Sequence, residues 1–95
     1  MKLDINGKTA LVTGSSKGIG KSIAQNLSVE GCNIMLNGRN SHSLQRAMKT
    51  MKSKTDYFVA DVTKPDECKL LVEHTIEQFG KLDILVCNVG SGRTV

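Results

Sequence analysis

The sequence predicts one α/β domain organised around a parallel β-sheet, and three observations predict it. Four short apolar runs alternate with three longer segments whose apolar residues recur at helical spacing. A glycine-rich turn joins the first run directly to the first helical segment. The whole occupies 95 residues, 39% of them hydrophobic and 23% charged, which suits a single small domain and leaves no room for two.

The first run, Thr9-Ala10-Leu11-Val12-Thr13, carries apolar residues in succession, as expected of a strand covered by helices on both faces. After the turn, Ile19, Ile23, Ala24 and Leu27 form the apolar stripe of a first helix, and Gly31 supplies a left-handed stop. A second strand fits Asn33-Ile34-Met35-Leu36-Asn37, ended by Gly38. The second helix begins near Ser41, with Leu44, Ala47, Met48 and Met51 on one side and basic residues on the other. The third run, Tyr57-Phe58-Val59-Ala60, closes with Asp61-Val62. Thr63-Lys64-Pro65-Asp66 then reads as a helix entrance, with Thr63 as the cap, Asp66 reaching back to it, and Pro65 in the first turn, where its missing N–H is not needed. The third helix carries Cys68, Val72, Ile76 and Phe79 at spacings of four, four and three, and stops at Gly80. It leads into a fourth strand, Asp83-Ile84-Leu85-Val86-Cys87-Asn88. The predicted order is β-α-β-α-β-α-β, free of repeats, low-complexity tracts and linkers, with right-handed crossovers.

Composition narrows the function classes. Thirteen Lys and Arg against nine Asp and Glu give a net charge of +4, which favours anionic ligands without naming one. The three cysteines form no Cys-x-x-Cys pair and leave one over from any disulfide pairing, so a reduced, cytoplasmic setting is expected. Cys87, inside an apolar run, is expected to be a small buried residue. The N-terminus has no apolar leader, and the longest aliphatic run, Ile84 to Cys87, is far below the ~20 residues of a spanning helix, so neither secretion nor membrane insertion is expected. His42 and His74 are isolated, are expected at the surface, and share no ligand spacing with a carboxylate, so no metal site is expected.

The most informative stretch is Thr13-Gly14-Ser15-Ser16-Lys17-Gly18-Ile19-Gly20, placed where a strand hands over to a helix. A dinucleotide pyrophosphate needs closely approachable backbone N–H groups, a tight turn and the positive end of a helix dipole, and glycines supply the first two because they lack a Cβ. Three glycines in the pattern G-x-x-x-G-x-G inside a βαβ unit point to that chemistry; the alternative is a generic tight turn under a close-packed helix. At the end of the second strand, where an acid would accept the ribose hydroxyls of NAD, the chain reads Asn37-Gly38-Arg39-Asn40. Arg39, with Asn40 beside it, and Lys17 in the loop are positioned to meet a 2′-phosphate, so NADP(H) is expected in preference to NAD(H). Asp61-Val62, after the third strand, offers a carboxylate to an adenine amino group beside an apolar contact.

The glycine pattern, the Asp61-Val62 pair and the stretch Asp83-Ile84-Leu85-Val86-Cys87-Asn88-Val89-Gly90, at these mutual distances, resemble the cofactor-binding half of the short-chain dehydrogenases/reductases, in particular its NADPH-preferring ketoreductase type. All 95 residues align with that half. The resemblance implies a Rossmann-type fold in which Gly14, Gly18 and Gly20 shape the loop, Ser16 and Ile19 offer groups to the cofactor phosphates, Lys17 and Arg39 face the 2′-phosphate, and Asp61 and Val62 hold adenine. The family's Asn-Asn-Ala-Gly stretch is Cys87-Asn88-Val89-Gly90 here, so Asn88 and Gly90 match while Cys87 and Val89 depart. The implied reaction is hydride transfer between NADPH and a carbonyl or alcohol.

The family's acid, a tyrosine followed four residues later by lysine, has no counterpart: the single tyrosine, Tyr57, is followed by Asp61. Residues 1–95 are therefore expected to be the N-terminal dinucleotide-binding portion of one domain, truncated and inactive alone, with substrate contacts and homo-oligomer surfaces belonging to a longer parent. A bare outer edge on the fourth strand, with Ile84, Leu85 and Val86, is expected to invite self-association. Two other classes compete with this reading. A non-catalytic nucleotide-binding module fits the same motifs. Nucleic-acid binding has some motive in Arg39, Arg46, Lys49, Lys52 and Lys54, a stretch without an acid, but 3% aromatic residues provide no stacking platform and a solvated helix face accounts for the charge.

Overall fold

The computed structural model describes residues 4–88. Four strands, β1 (Thr9–Val12), β2 (Asn33–Gly38), β3 (Thr55–Val59) and β4 (Ile84–Val86), alternate with three helices, α1 (Gly18–Val29), α2 (Ser41–Met48) and α3 (Pro65–Phe79). All strand pairs are parallel and the sheet order is β3-β2-β1-β4. The expected element order is thus observed. The chain runs outward from β1 through β2 to β3 and then crosses back to place β4 on the other side of β1. That reversal opens a crevice beyond the carboxyl ends of the strands, the place where open α/β sheets bind ligands.

Strand periodicity divides the core between the two faces. Ala10, Val12, Ile34 and Leu36 point into one cluster with Ala24, Leu44 and Ala47 of α1 and α2. Leu11 and Met35 point the other way, into a smaller cluster with Ala60 and Leu71 of α3. Every residue of β1 is buried because the strand is central and covered on both faces.

Several elements differ locally from the sequence expectation. In α1 the buried line is Gly20, Ala24 and Ser28, small residues that let the helix lie close to the sheet, whereas Ile19 is 74% exposed and not part of the buried stripe. In α3 the buried line is Leu71 and Thr75, with Val72 and Phe79 packed beside it, while Ile76 is exposed and Cys68 lies half-buried. Thr63 does not cap α3. Lys64 is the cap residue, without a side-chain bond, and Pro65 begins the helix, because the Thr63 hydroxyl is committed to Asp61. β3 starts two residues earlier than expected, at Thr55, and ends at Val59. Cys87 is exposed, since it lies just past the short β4 at the edge of the sheet, and Cys32 is the buried thiol, its pKa raised by burial. His42 is exposed as expected, but His74 is half-buried: its Nε2 lies 2.9 Å from Asp56 Oδ2 and its ring stacks on Phe58 at 4.7 Å, tying α3 to the edge strand.

The β1–β4 pairing is stitched at its start. The Thr9 N–H donates to Asp83 Oδ2 at 2.8 Å, and the Asp83 N–H donates to the Thr9 carbonyl at 2.9 Å. The first of these bonds is the main reason the Asp83 carboxyl is held below its ordinary pKa, with Lys81 adding a lesser Coulombic share. A carboxyl that titrates lower in the folded chain stabilises fully above the ordinary carboxylate range and loses that contribution as pH falls through the lowered value. Asp83→Asn should therefore lower the urea midpoint at neutral pH, and the gap to the native chain should close below about pH 4. Urea denaturation across that pH range checks both halves of the statement.

Candidate functional site

The glycine loop is clipped from two sides. From β4, Asn88 Nδ2 donates to the Gly14 carbonyl at 2.9 Å, and the Asn88 N–H donates to Thr13 Oγ1 at 2.8 Å. From β2, the Ser15 N–H donates to the Asn37 carbonyl at 2.8 Å, the Asn37 N–H donates to Ser15 Oγ at 3.0 Å, and Asn37 Oδ1 accepts from the Gly14 N–H at 3.3 Å. Ser15 is fully buried and its hydroxyl donates to the Val12 carbonyl at 2.7 Å.

The three glycines serve different ends. Gly14 has φ +57°, and a Cβ there would press into the Asn88 carbonyl oxygen. A Cβ on Gly20 would collide with the Gly14 carbonyl and Asn88 Nδ2, so Gly20 is the contact that seats α1 on the loop. Gly18, with φ +65°, faces open space. Among the described residues, the backbone N–H groups of Ser16, Lys17, Gly18 and Ile19 have no hydrogen-bond partner. They crown the positive end of a 12-residue helix that has no acid in its first turn. Open space over Gly18, unpaired donors and an uncompensated helix terminus match the needs of a pyrophosphate.

The adjoining cleft has a volume of about 350 Å³. Gly14, Ser16 and Lys17 of the loop line it, as do Asn37, Gly38 and Arg39 at the end of β2, the segment Ala60–Thr63 after β3, and Asn88. Lys17 and Arg39 are both exposed at its rim. Asp61 Oδ1 accepts from the Thr63 hydroxyl at 2.6 Å and the Thr63 N–H at 3.0 Å, which leaves Oδ2 without a protein partner among the described residues. Those bonds hold the Asp61 carboxyl below the usual range, with the positive charge of Arg39 contributing less, so the group is anionic at neutral pH. The Asp61 N–H is fixed by Glu67 Oε1 at 2.7 Å.

Of the residues picked from the sequence, Gly14, Ser16, Lys17, Arg39, Asp61, Val62 and Asn88 meet in this cleft. Gly18, Ile19 and Gly20 form the adjoining first turn of α1. Asn40 caps α2, its Oδ1 accepting from the Ser43 N–H at 2.9 Å, and does not line the cleft. Gly90 lies outside the described residues. Sequence reasoning missed Asn37, Ser15 and Thr63. For Asn37 the available signal was a polar residue directly after the apolar run Ile34-Met35-Leu36 of a covered strand, which is out of place unless its amide is used. No cluster of metal-ligating side chains occurs among the described residues, and no described helix is long and apolar enough to cross a membrane.

A family model described as short chain dehydrogenase matches residues 8–95. The chain belongs to the short-chain dehydrogenase family. It is 43% identical over 90 residues to the 3-oxoacyl-[acyl-carrier-protein] reductase FabG of Staphylococcus aureus strain Mu50, covering 90% of this chain and 37% of that protein. It is 37% identical over 95 residues to an 11-beta-hydroxysteroid dehydrogenase of Pinus massoniana, covering 96% of this chain and 27% of that one. The L-sorbose reductase of Gluconobacter frateurii, solved with NADPH and L-sorbose, superposes on all of this chain with a TM-score of 0.90 at 35% identity, over 38% of its own length. This short-chain dehydrogenase chain thus spans about a third of the length of the relatives it matches. Its sheet is the Rossmann-type fold of those oxidoreductases.

The two kinds of glycine contact are separable by experiment. Gly20→Ala should destabilise the fold by about 1 to 3 kcal/mol through overpacking against Gly14 and Asn88. Gly18→Ala meets no neighbour and carries only the left-handed backbone strain of about 1 to 2 kcal/mol. Thermal denaturation of the two variants should show both losses, with only the first accompanied by disturbed Asn88 side-chain amide resonances.

Proposed function

We propose that this chain binds NADP(H) in preference to NAD(H), as the cofactor-binding half of an oxidoreductase that transfers hydride between NADPH and a carbonyl or alcohol substrate. The observation that carries the reading is the charge at the end of β2: Lys17 and Arg39 line one cleft, and the strand closes on Asn37 and Gly38 with no carboxylate to oppose a phosphate. The NADPH complex of the similar L-sorbose reductase supports it.

When bound, NADPH supplies the hydride. The chain's own residues would bind and orient it: the N–H groups of Ser16 to Ile19 would meet the pyrophosphate, Gly18 leaves room for its approach, and Gly20 seats α1 beneath them. Lys17 and Arg39 would neutralise the 2′-phosphate. Asp61, with Oδ2 left free by Thr63, would accept from the adenine amino group, and Val62 would cover the ring. Asn88, which lines the cleft, would meet the nicotinamide ribose side. Protonating a developing alkoxide needs an acid of the Tyr-x-x-x-Lys kind, and the 95 residues contain none. Turnover therefore needs an acid from outside these 95 residues, and this reading takes them as the dinucleotide-binding portion of a cytoplasmic homo-oligomer acting on a small-molecule substrate.

Calorimetric titration of the chain should show saturable binding of NADPH, tighter than NADH by about tenfold or more, the worth of one charge-assisted hydrogen bond. Arg39→Asp should invert the order; retained NADPH preference in that variant would remove Arg39 from the assignment. A second expectation concerns the outer edge of β4, where Leu85 is 55% exposed. The isolated chain should self-associate along that edge, seen as a sedimentation coefficient that rises with protein concentration.

A further inference from the structure

Asn37 is 1% exposed, yet each of its polar groups is engaged, and the partners fall on two sides of the cleft. Toward the glycine loop, its main chain exchanges two bonds with Ser15 and its Oδ1 accepts from the Gly14 N–H at 3.3 Å. Toward β3, its Nδ2 donates to the Phe58 and Ala60 carbonyls, each at 3.2 Å. Ala60 directly precedes Asp61 and Val62. The position needs one acceptor and two donors in a single short side chain, which only an amide of this length provides. An aspartate would set its oxygens against two carbonyls, and an aliphatic residue would leave an N–H and two carbonyls without this partner.

Resting on the cofactor reading above, we propose that Asn37 is a positioning residue that couples the two halves of the cleft: occupancy of the Asp61–Val62 wall tightens the glycine loop through the Asn37 amide, and occupancy of the loop orders the wall. The coupling is reciprocal by thermodynamic necessity. It also gives β2 a reason to end in a polar residue although the strand is central.

The test is a titration of the 15N-labelled chain with adenosine 2′-monophosphate, which carries the adenine and the 2′-phosphate but no pyrophosphate, followed by NADPH. The Gly14 N–H is bonded to the Asn37 amide and the Ser15 N–H to its carbonyl, so adenine on the wall reaches them through Asn37, whereas any direct effect of the 2′-phosphate on the loop through Lys17 persists in the Asn37 variant. In the native chain, adenosine 2′-monophosphate should shift both amide resonances and slow their exchange. In Asn37→Ala it should still bind, without the Gly14 response, and NADPH affinity should fall by about tenfold. Because that variant retains Lys17, a Gly14 response that persists in it would come from direct contact with the loop and would overturn the proposal. Saturable binding to the native chain with Gly14 unmoved would overturn it too, and that arm decides even if the variant does not fold. Equal weakening of both ligands in the variant would reduce Asn37 to a fold-stabilising residue and likewise overturn the coupling. Failure of the native chain to bind either ligand would instead overturn the cofactor reading, and the proposal with it.

Discussion

The architecture depends on how closely α1 approaches the end of β1. The Gly14 carbonyl lies beneath Gly20 with no room for a side chain between them, and Asn88 closes the same gap by donating to that carbonyl. This contact fixes where α1 begins and hence where its small-residue line, Gly20, Ala24 and Ser28, meets the sheet. A bulkier residue at the contact would lift the helix from the cluster holding Ala10, Val12, Ile34 and Leu36. Core packing and site geometry are thus one constraint.

Around that contact the carboxyl ends of the strands carry a seam of short polar side chains, Thr13, Ser15, Asn37 and Asn88, bonded to one another's backbone and to that of Val12 and Gly14. Among the described residues no buried side-chain nitrogen or oxygen lacks a partner, so the seam is fully satisfied. Its effect is a division of labour. The seam absorbs the N–H groups of Gly14 and Ser15, while the next N–H groups are left outward at the helix terminus. The charged residues Lys17, Arg39 and Asp61 stand at the rim of a scaffold already neutralised inside.

The large-scale order of the chain was legible because it depends on periodicity and glycine placement. Every strand and helix appeared in its expected order, with β3 shifted and β4 shortened to Ile84–Val86, and seven cleft residues were named from motif positions. The errors share a physical origin. In α1, Ala24 is buried and Leu27 packs on the core as expected, but close packing selects small residues for the buried line, so Ile19 lies outside and Gly20 inside. At α3 a hydroxyl before a proline resembled a cap, but a carboxylate two residues earlier competed for it, and Asp61 won Thr63. The apolar neighbours of Cys87 pointed to burial, although a three-residue edge strand is too short to shelter the position just past its end. Asn37 went unread because its role depends on β3 and the loop together, and one strand's pattern contains neither.

The Asn88 clip joins residues 74 and 75 positions apart in the chain. The glycine loop precedes Asn88 by 74 residues, and its conformation is completed only when β4 docks beside β1. Strands β1 to β3 with α1 and α2 can assemble from contacts of shorter range, which close at lower entropic cost. The glycine loop is therefore set late in folding, after most of the sheet to which it belongs is already in place.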